Sequence, residues 1–346
     1  EVQEFEPELI LAPFLKTYLS KDIYEKYPTY IFHPGPIGDR GSNSLEYALL
    51  SDKKEWGVVI LRANELFDGG DIIAQSNFKL RCTYKASLYR QEVVTHSLYA
   101  LDNFFNNPTQ IKQILNPLQK PLKQKTTTID WNNDNTKTII SKIHLLDSYP
   151  GVLDEILGVK CYFFGACNEE RLRGGIKEIL AKRDGAICLG TKDGALWISH
   201  LKEVNSFKLP ATYVLKEKIM GIKEHRLPLL FDKSYETFYE ISVQQQDDIS
   251  YLSFNFHNGA MNAEQCIRLK YAFEYLKENS KVIVLVGGVD FFSNGIHLNI
   301  LQDSKKQGED GWSNINAMND LIKSILEADE VVTIASLARN AGAGGV

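Results

Sequence analysis

A chain of 346 residues, 44% of them hydrophobic, is longer than one ordinary domain and holds enough apolar material for two or three separate cores. Its 39 basic and 44 acidic residues leave a net charge of -5, so composition supplies no electrostatic ground for a nucleic-acid partner. No run of about 18 uncharged apolar residues occurs, which argues against a helical membrane span, and Glu1 to Pro7 lack the basic and apolar regions of a secretory signal.

The five cysteines, Cys82, Cys161, Cys167, Cys188 and Cys266, have no two-residue spacing of the kind that clamps zinc or an iron-sulfur cluster. Their odd number and wide separation fit reduced thiols in a cytoplasmic protein, and no metal site is expected. Glu1 is not a start methionine, and the glycine-rich end Ala341 to Val346 should feed another element, so a fragment of a longer protein is expected.

In chain order, Leu9 to Phe14 suggests a core strand, Thr29 to Phe32 a strand ending at His33, and Ser42 to Leu50 a short helix with a polar N-cap. Trp56 to Leu61 is a further apolar strand, and Ser87 to Phe105 a helix that buries Leu88, Val94, Leu98 and Leu101. This order predicts an open α/β sheet whose ligands bind beyond the carboxyl ends of its strands. Residues 107–130, with Pro108, Pro117 and Pro121 and little apolar period, suggest a linker. A helix from about Asn135 to Leu146 follows. Short strands at Lys160 to Phe164, Ala186 to Leu189 and Ala195 to Ser199 then predict a small β-barrel-like middle domain. Residues 216–248, with the run Gln244 to Asp248, suggest a second linker. A last α/β unit begins at Ile249 to Phe256 and continues through a helix at Met261 to Glu278 and a strand at Val282 to Val286. A helix at Asn314 to Ala328 and a strand at Val331 to Ile334 complete it. The expected division is thus 1–125, 126–215, a linker over 216–248, and 249–346.

Two stretches carry chemistry. In Tyr30-Ile31-Phe32-His33-Pro34-Gly35-Pro36-Ile37-Gly38-Asp39-Arg40-Gly41, a histidine stands directly before a turn that proline restricts and glycine leaves open to a substrate. A histidine so placed can exchange a proton near neutral pH. After one more strand comes Phe67-Asp68-Gly69-Gly70-Asp71, and neighbouring strand ends can bring Asp68 beside His33, orienting its ring. The plainer alternative is that His33 caps a strand and Asp68 supports a glycine turn. In the second stretch, Val282 to Gly288 leads into Phe291-Phe292-Ser293-Asn294-Gly295-Ile296-His297, and Val331 to Ile334 leads into Arg339-Asn340-Ala341-Gly342-Ala343-Gly344-Gly345. Two strands ending in small-residue turns can aim backbone N–H groups at one point and hold an oxyanion. Tight packing alone would also account for such turns.

The first stretch, with Trp56 to Leu61, Ile129-Asp130-Trp131 and Pro150-Gly151-Val152-Leu153, resembles the folate-dependent formyltransferases, including methionyl-tRNA formyltransferase. That resemblance implies that His33 and Asp68 promote transfer of a formyl group from the N10 of 10-formyltetrahydrofolate, with Gly35 and Arg40 at the cofactor-binding turn. One departure is that the family has asparagine two residues before the histidine, where this chain has Ile31. Loss of an oxyanion donor of that kind is worth roughly 3–4 kcal/mol in a transition state, and a thiol acceptor would ease the demand.

The second stretch resembles the paired oxyanion loops of the enoyl-CoA hydratase, or crotonase, superfamily, which implies a partial crotonase-like α/β domain. On that resemblance the donors are the N–H groups of Ile296 and Gly344, and the Asn294 carbonyl and Gly295 lie along coenzyme A. His297 stands where aspartate is common and is expected to be structural. The superfamily's acid/base carboxylates would follow Val346.

A formyltransferase-like unit joined to a crotonase-like unit resembles a family of nickel-iron hydrogenase maturation factors. The resemblance implies a bifunctional enzyme that makes carbon monoxide for the hydrogenase iron. Formyl transfer to coenzyme A would be followed by decarbonylation of formyl-CoA. A 10-formyltetrahydrofolate hydrolase releasing formate, or a scaffold delivering a ligand to the hydrogenase assembly, are the alternatives.

Overall fold

The computed structural model describes residues 2–15, 17–51, 53–81, 83–122 and 127–345. The expected boundary at 125/126, Cys82 and Val346 lie outside them. The chain forms two compact units, Glu1–Thr128 with His144–Pro150, and Ile129–Ile143 with Gly151–Val346.

In the first unit, strands β1 (Ile10–Pro13), β2 (Thr29–His33), β3 (Glu55–Arg62) and β4 (Ile72–Lys79) form one open sheet in that order. β1 and β2 are parallel and the other two pairs antiparallel. Burial of the whole run Trp56 to Leu61 explains its unbroken apolar sequence, since a central strand covered on both faces needs no alternation. Phe32, Ile60 and Ala74 pack on one face against Ala100, Leu101 and Phe104 of the helix Val94–Asn106. Val59, Leu61 and Ile72 form the other face with Ile31 and Ile37. The helix expected over Ser87 to Phe105 is reached through a short turn at Lys85–Leu88 and a π-helical turn at Tyr89–Val93.

The described part of the stretch expected to be a linker is a strap pinned to this sheet. Ile111 exchanges two backbone hydrogen bonds with Ile72, at 2.8 and 2.9 Å, and Thr109 N–H donates to Ile73 O at 2.9 Å. Further on, Gln119 N–H donates to Arg40 O at 2.9 Å and Leu122 N–H to Asn43 Oδ1 at 3.2 Å. The prolines hold the strap extended, and Gln110, Gln113, Asn116 and Gln119 each hydrogen-bond to groups of the protein.

In the second unit, β5 (Val152–Ile156), β6 (Val159–Glu169), β7 (Ile179–Arg183), β8 (Ala186–Gly190) and β9 (Ala195–Glu203) make an antiparallel sheet in the order β5-β6-β9-β8-β7. A short strand β10 (Lys208–Pro210) also pairs with β9. This corrects the expected barrel: β5 and β7 end the path and do not pair with each other, so the sheet is open. The edge that closure would need is taken by a later segment. Lys182 of β7 donates its N–H to Lys223 O at 3.1 Å and accepts from His225 N–H at 2.8 Å.

The last sheet has the order β11 (Ile241–Gln246), β12 (Ile249–Phe254), β14 (Val282–Gly287), β17 (Val332–Ala335), with β11 antiparallel and the rest parallel. The stretch expected to be a linker over 216–248 therefore ends in a strand. Gln244 to Gln246 are exposed on β11 at the sheet edge, and their polarity hides the strand in the sequence. The helix Ala263–Asn279 crosses from β12 to β14 and starts with a reciprocal cap between Asn262 and Gln265.

Three imidazoles meet inside this unit: His200 on β9, His257 after β12, and His297. The His200 ring centroid lies 4.2 Å from that of His257 and 6.5 Å from that of His297, the latter pair nearly parallel at 8°. Burial, then the charges of His257, His297 and Lys208, push His200 well below the ordinary histidine value, and burial also lowers His297. The fold thus favours the neutral forms of His200 and His297. Their stabilisation is complete above the unfolded value near about 6.5 and is lost as pH falls below it. Burial raises Glu240 to about 7 and gives it the opposite slope in this window, so the test is a difference: between pH 7 and pH 5 the urea midpoint of the parent should fall relative to that of His200→Phe. An equally steep dependence in the variant would remove the imidazole stack as its source.

Candidate active site

His33 ends β2, and the chain reverses at once. Trp56 Nε1 and Ser44 Oγ both donate to Pro34 O, at 2.9 and 2.7 Å, which fixes the start of the turn. Asp39 N–H closes back on Pro36 O at 2.9 Å, with Gly38 at a φ of +89° in the third position, where a turn of this kind requires glycine. The reversal lays Asp39 over the histidine ring. His33 Nε2 and Asp39 Oδ2 are 2.7 Å apart, a hydrogen bond, whereas His33 Nδ1 and Asp68 Oδ2 are 3.6 Å apart, beyond one. The ring stands between two carboxylates, with His33, Asp39, Arg40 and Asp68 only 5–8% exposed.

Sequence reasoning paired His33 with Asp68, and the structure does bring them together. It missed Asp39, whose signal was the Pro36-Ile37-Gly38-Asp39 turn itself. Asp68 has a left-handed φ of +47°, and its Oδ2 accepts from Gly41 N–H at 2.9 Å, tying the two turns together. Arg40 donates from Nε and Nη2 to Phe67 O, at 3.1 and 2.8 Å, and from Nη1 to Asn116 O at 3.1 Å. These bonds make it a clasp between the Asp68 turn and the strap.

The strap was also missed. Gln113 accepts from Gly38 N–H at 2.9 Å and donates to Asp68 O at 3.2 Å, so one side chain spans both carboxylate-bearing turns. Gln119 Nε2 donates to Asp39 Oδ1 at 2.7 Å. Gly35 has a spatial reason: a Cβ there would stand 2.3 Å from Asp39 Oδ2 and 2.6 Å from His33 Nε2. Ile31 shares the His33 face of β2, two residues away, and packs with Val59, Leu61 and Ile72.

The second stretch lies at the carboxyl ends of the parallel strands in the other unit. Short ladders pair β13 (Ala260–Met261) with β16 (Gly295–Ile296), and β15 (Phe291–Ser293) with β18 (Asn340–Ala341). His297 N–H donates to Met261 O at 3.0 Å. Backbone groups alternate sides along a strand, so the N–H of Ile296 points away from β13. Gly295 and Gly344 touch: a Cβ on Gly295, which has a φ of +75°, would lie 3.0 Å from Gly344 N. Asn294 is held by its own N–H to Gly259 O and by Nδ2 to Asn258 O, each at 2.7 Å. Beside these loops is an apolar cavity of about 80 Å³, lined among others by Phe254, Met261, Phe273, Phe292, Ser293 and Gly344. Among the described residues no cluster of histidine, cysteine, aspartate or glutamate could hold a metal ion, and no helix is long and apolar enough to cross a membrane.

An open sheet ending in a carboxylate-flanked imidazole has the form of a formyltransferase fold. The sequence profile of the formyl transferase C-terminal domain matches residues 121–218. The chain is 40% identical to HypX from Aquifex aeolicus, solved in complex with tetrahydrofolic acid, with a TM-score of 0.92 over 99% of this chain and 62% of that one. It is 33% identical to the hydrogenase maturation factor HoxX of Bradyrhizobium diazoefficiens, over 98% of this chain and 61% of that protein. A methionyl-tRNA formyltransferase of Kosmotoga olearia is 22% identical over 58% of this chain and 68% of its own length. The chain is a homologue of the HypX-type hydrogenase maturation factors, and it spans about three fifths of the length of the HypX and HoxX proteins named above.

The packing around Gly35 generates a direct test. Gly35→Ala should displace either the His33 ring or Asp39 and cost about 1–3 kcal/mol of stability. Urea unfolding and a crystal structure of the variant measure both, and an undisturbed 2.7 Å pair would show that the turn yields elsewhere.

Proposed function

We propose that this chain carries out formyl transfer from 10-formyltetrahydrofolate to coenzyme A, followed by decarbonylation of formyl-CoA, and so supplies carbon monoxide for nickel-iron hydrogenase maturation. The observation that carries the reading is the buried imidazole between two carboxylates, in a chain 40% identical to a HypX protein solved with tetrahydrofolic acid. The transfer site supplies proton handling. His33 takes the thiol proton of coenzyme A as sulfur bonds to the formyl carbon, and returns it to N10 as the carbon–nitrogen bond breaks. Asp68 supports the ring electrostatically, and Gly35 and Arg40 shape the folate-facing turn.

At the second site the N–H groups of Ile296 and Gly344 hold the thioester oxygen. The formyl C–H and C–S bonds break there, the hydrogen passes to sulfur, and carbon monoxide and coenzyme A leave. Asn294 and Gly295 lie along coenzyme A in this reading. The close approach of Gly295 to Gly344 and the apolar cavity beside them fit a small acyl group. The free thiols Cys161, Cys167, Cys188 and Cys266 suit a cytoplasmic setting beside the hydrogenase assembly machinery.

Labelled 10-formyltetrahydrofolate with coenzyme A tests the reading in the full-length protein. Labelled carbon monoxide is expected; labelled formate alone would replace transfer with hydrolysis, and binding without turnover would leave a scaffold. His33→Ala should lower formyl transfer by about 10²–10⁴-fold while leaving carbon monoxide release from supplied formyl-CoA intact. Equal loss of both activities in a folded variant would sink the division between two sites.

A further inference from the structure

We propose that Asp39, held from behind by Gln119 of the strap, is the positioning residue of His33, and that it fixes which ring nitrogen carries the proton. The inference rests on the formyl-transfer reading of this site and deepens it.

The geometry separates the two carboxylates. Asp39 Oδ2 is within hydrogen-bond distance of Nε2, and its other oxygen, Oδ1, accepts from Gln119 Nε2 at 2.7 Å. Both oxygens are engaged, so the carboxylate has no freedom to swing away from the ring. Asp68 Oδ2 is instead bonded to Gly41 N–H and stands 3.6 Å from Nδ1. A carboxylate facing Nε2 at 2.7 Å accepts a proton carried there, just as a buried aspartate holds the imidazole of a hydrolytic triad in one tautomer. With Nε2–H committed to Asp39, Nδ1 is the nitrogen left to exchange a proton. Nδ1 faces Asp68 Oδ2 across 3.6 Å, too far for a direct hydrogen bond, so this is the side of the ring on which a substrate proton is exchanged. Asp39 therefore orients, and Asp68 faces the reacting atoms.

The arrangement also gives the strap a function. Gln119 is the outer anchor of Asp39, and Gln113 fixes Gly38 against the Asp68 turn. Movement of residues 113–119 would release the orienting carboxylate before any residue in contact with substrate was disturbed.

The test uses the full-length protein. Asp39→Asn presents an amide that can donate to Nε2 and so favours the opposite tautomer. It should lower kcat for formyl transfer by about 10²–10⁴-fold, with KM for 10-formyltetrahydrofolate and tetrahydrofolate binding within about twofold. Carbon monoxide release from supplied formyl-CoA should be unchanged. Gln119→Ala should lower kcat by about tenfold, the scale of an outer-shell anchor, with the same unchanged binding. In ¹⁵N spectra of ring-labelled histidine, His33 should show a protonated Nε2 in the parent and lose that signature in Asp39→Asn. A kcat within twofold of the parent in Asp39→Asn, or an unaltered ring signature, would overturn the proposal. If Asp39→Asn does not fold, a Gln119→Ala enzyme with parental kcat does the same. If the parent itself transfers no formyl group, the functional reading fails, and the ring spectrum still decides the role of Asp39.

Discussion

Burial of charge at the end of β2 is the constraint on which the first unit turns. An isolated ionised group taken out of water costs several kcal/mol or more, and removing one partner of a buried pair typically costs about 3–5 kcal/mol. His33, Asp39, Arg40 and Asp68 are all buried within one short stretch of space, so each has to be answered by a neighbour. Asp39 is answered by His33 and Gln119, Asp68 by Gly41 N–H, and Arg40 by the carbonyls of Phe67 and Asn116. Two of these five partners, Gln119 and Asn116, come from the strap. A segment without regular secondary structure is therefore as much a part of the site as the strand that presents the histidine.

This explains what was legible in the sequence and what was not. His33 stands out because it ends a strand just before a proline-glycine turn, and Asp68 because it heads a glycine pair in the loop after β3, both local patterns. Asp39 sits within the same twelve-residue stretch, yet its role depends on a reversal at Gly38 that folds the chain back by six residues, and the turn residues alone do not say what the reversal covers. Gln113 and Gln119 carried no signal of this kind. In a stretch rich in proline, lysine and glutamine, polarity ordinarily means solvent exposure, and only the position of the Asp39 carboxylate turns the half-buried Gln119 into an anchor.

The second unit shows the converse. Its strands were legible because apolar runs such as Ala195 to Ser199 and Val282 to Val286 are unambiguous, whereas closure of the middle sheet was not. Whether an antiparallel sheet closes depends on what reaches its edges. Here Lys223 to His225 occupy the outer edge of β7, a parallel contact with a segment some forty residues later. Gln244 to Gln246 likewise lie in a strand whose exposed half resembles a polar tether until Tyr251 and Ile249 are seen opposite it.

The two candidate centres differ in what a substitution can reach. The loops at Gly295 and Gly344 present backbone, so their chemistry is set by φ and by the absence of side chains, and it survives wide variation in the residues around them. The centre at His33 is made of side chains whose charges must all be satisfied together. Ile31 sharpens the contrast. Its apolar side chain shares the ring's face with Val59, Leu61 and Ile72, so no amide stands there to polarise a formyl oxygen. Under the proposed formyl transfer the work of that donor would fall to the imidazole, which makes the orientation of one ring, and hence the two contacts of Asp39, the most demanding piece of geometry in the unit.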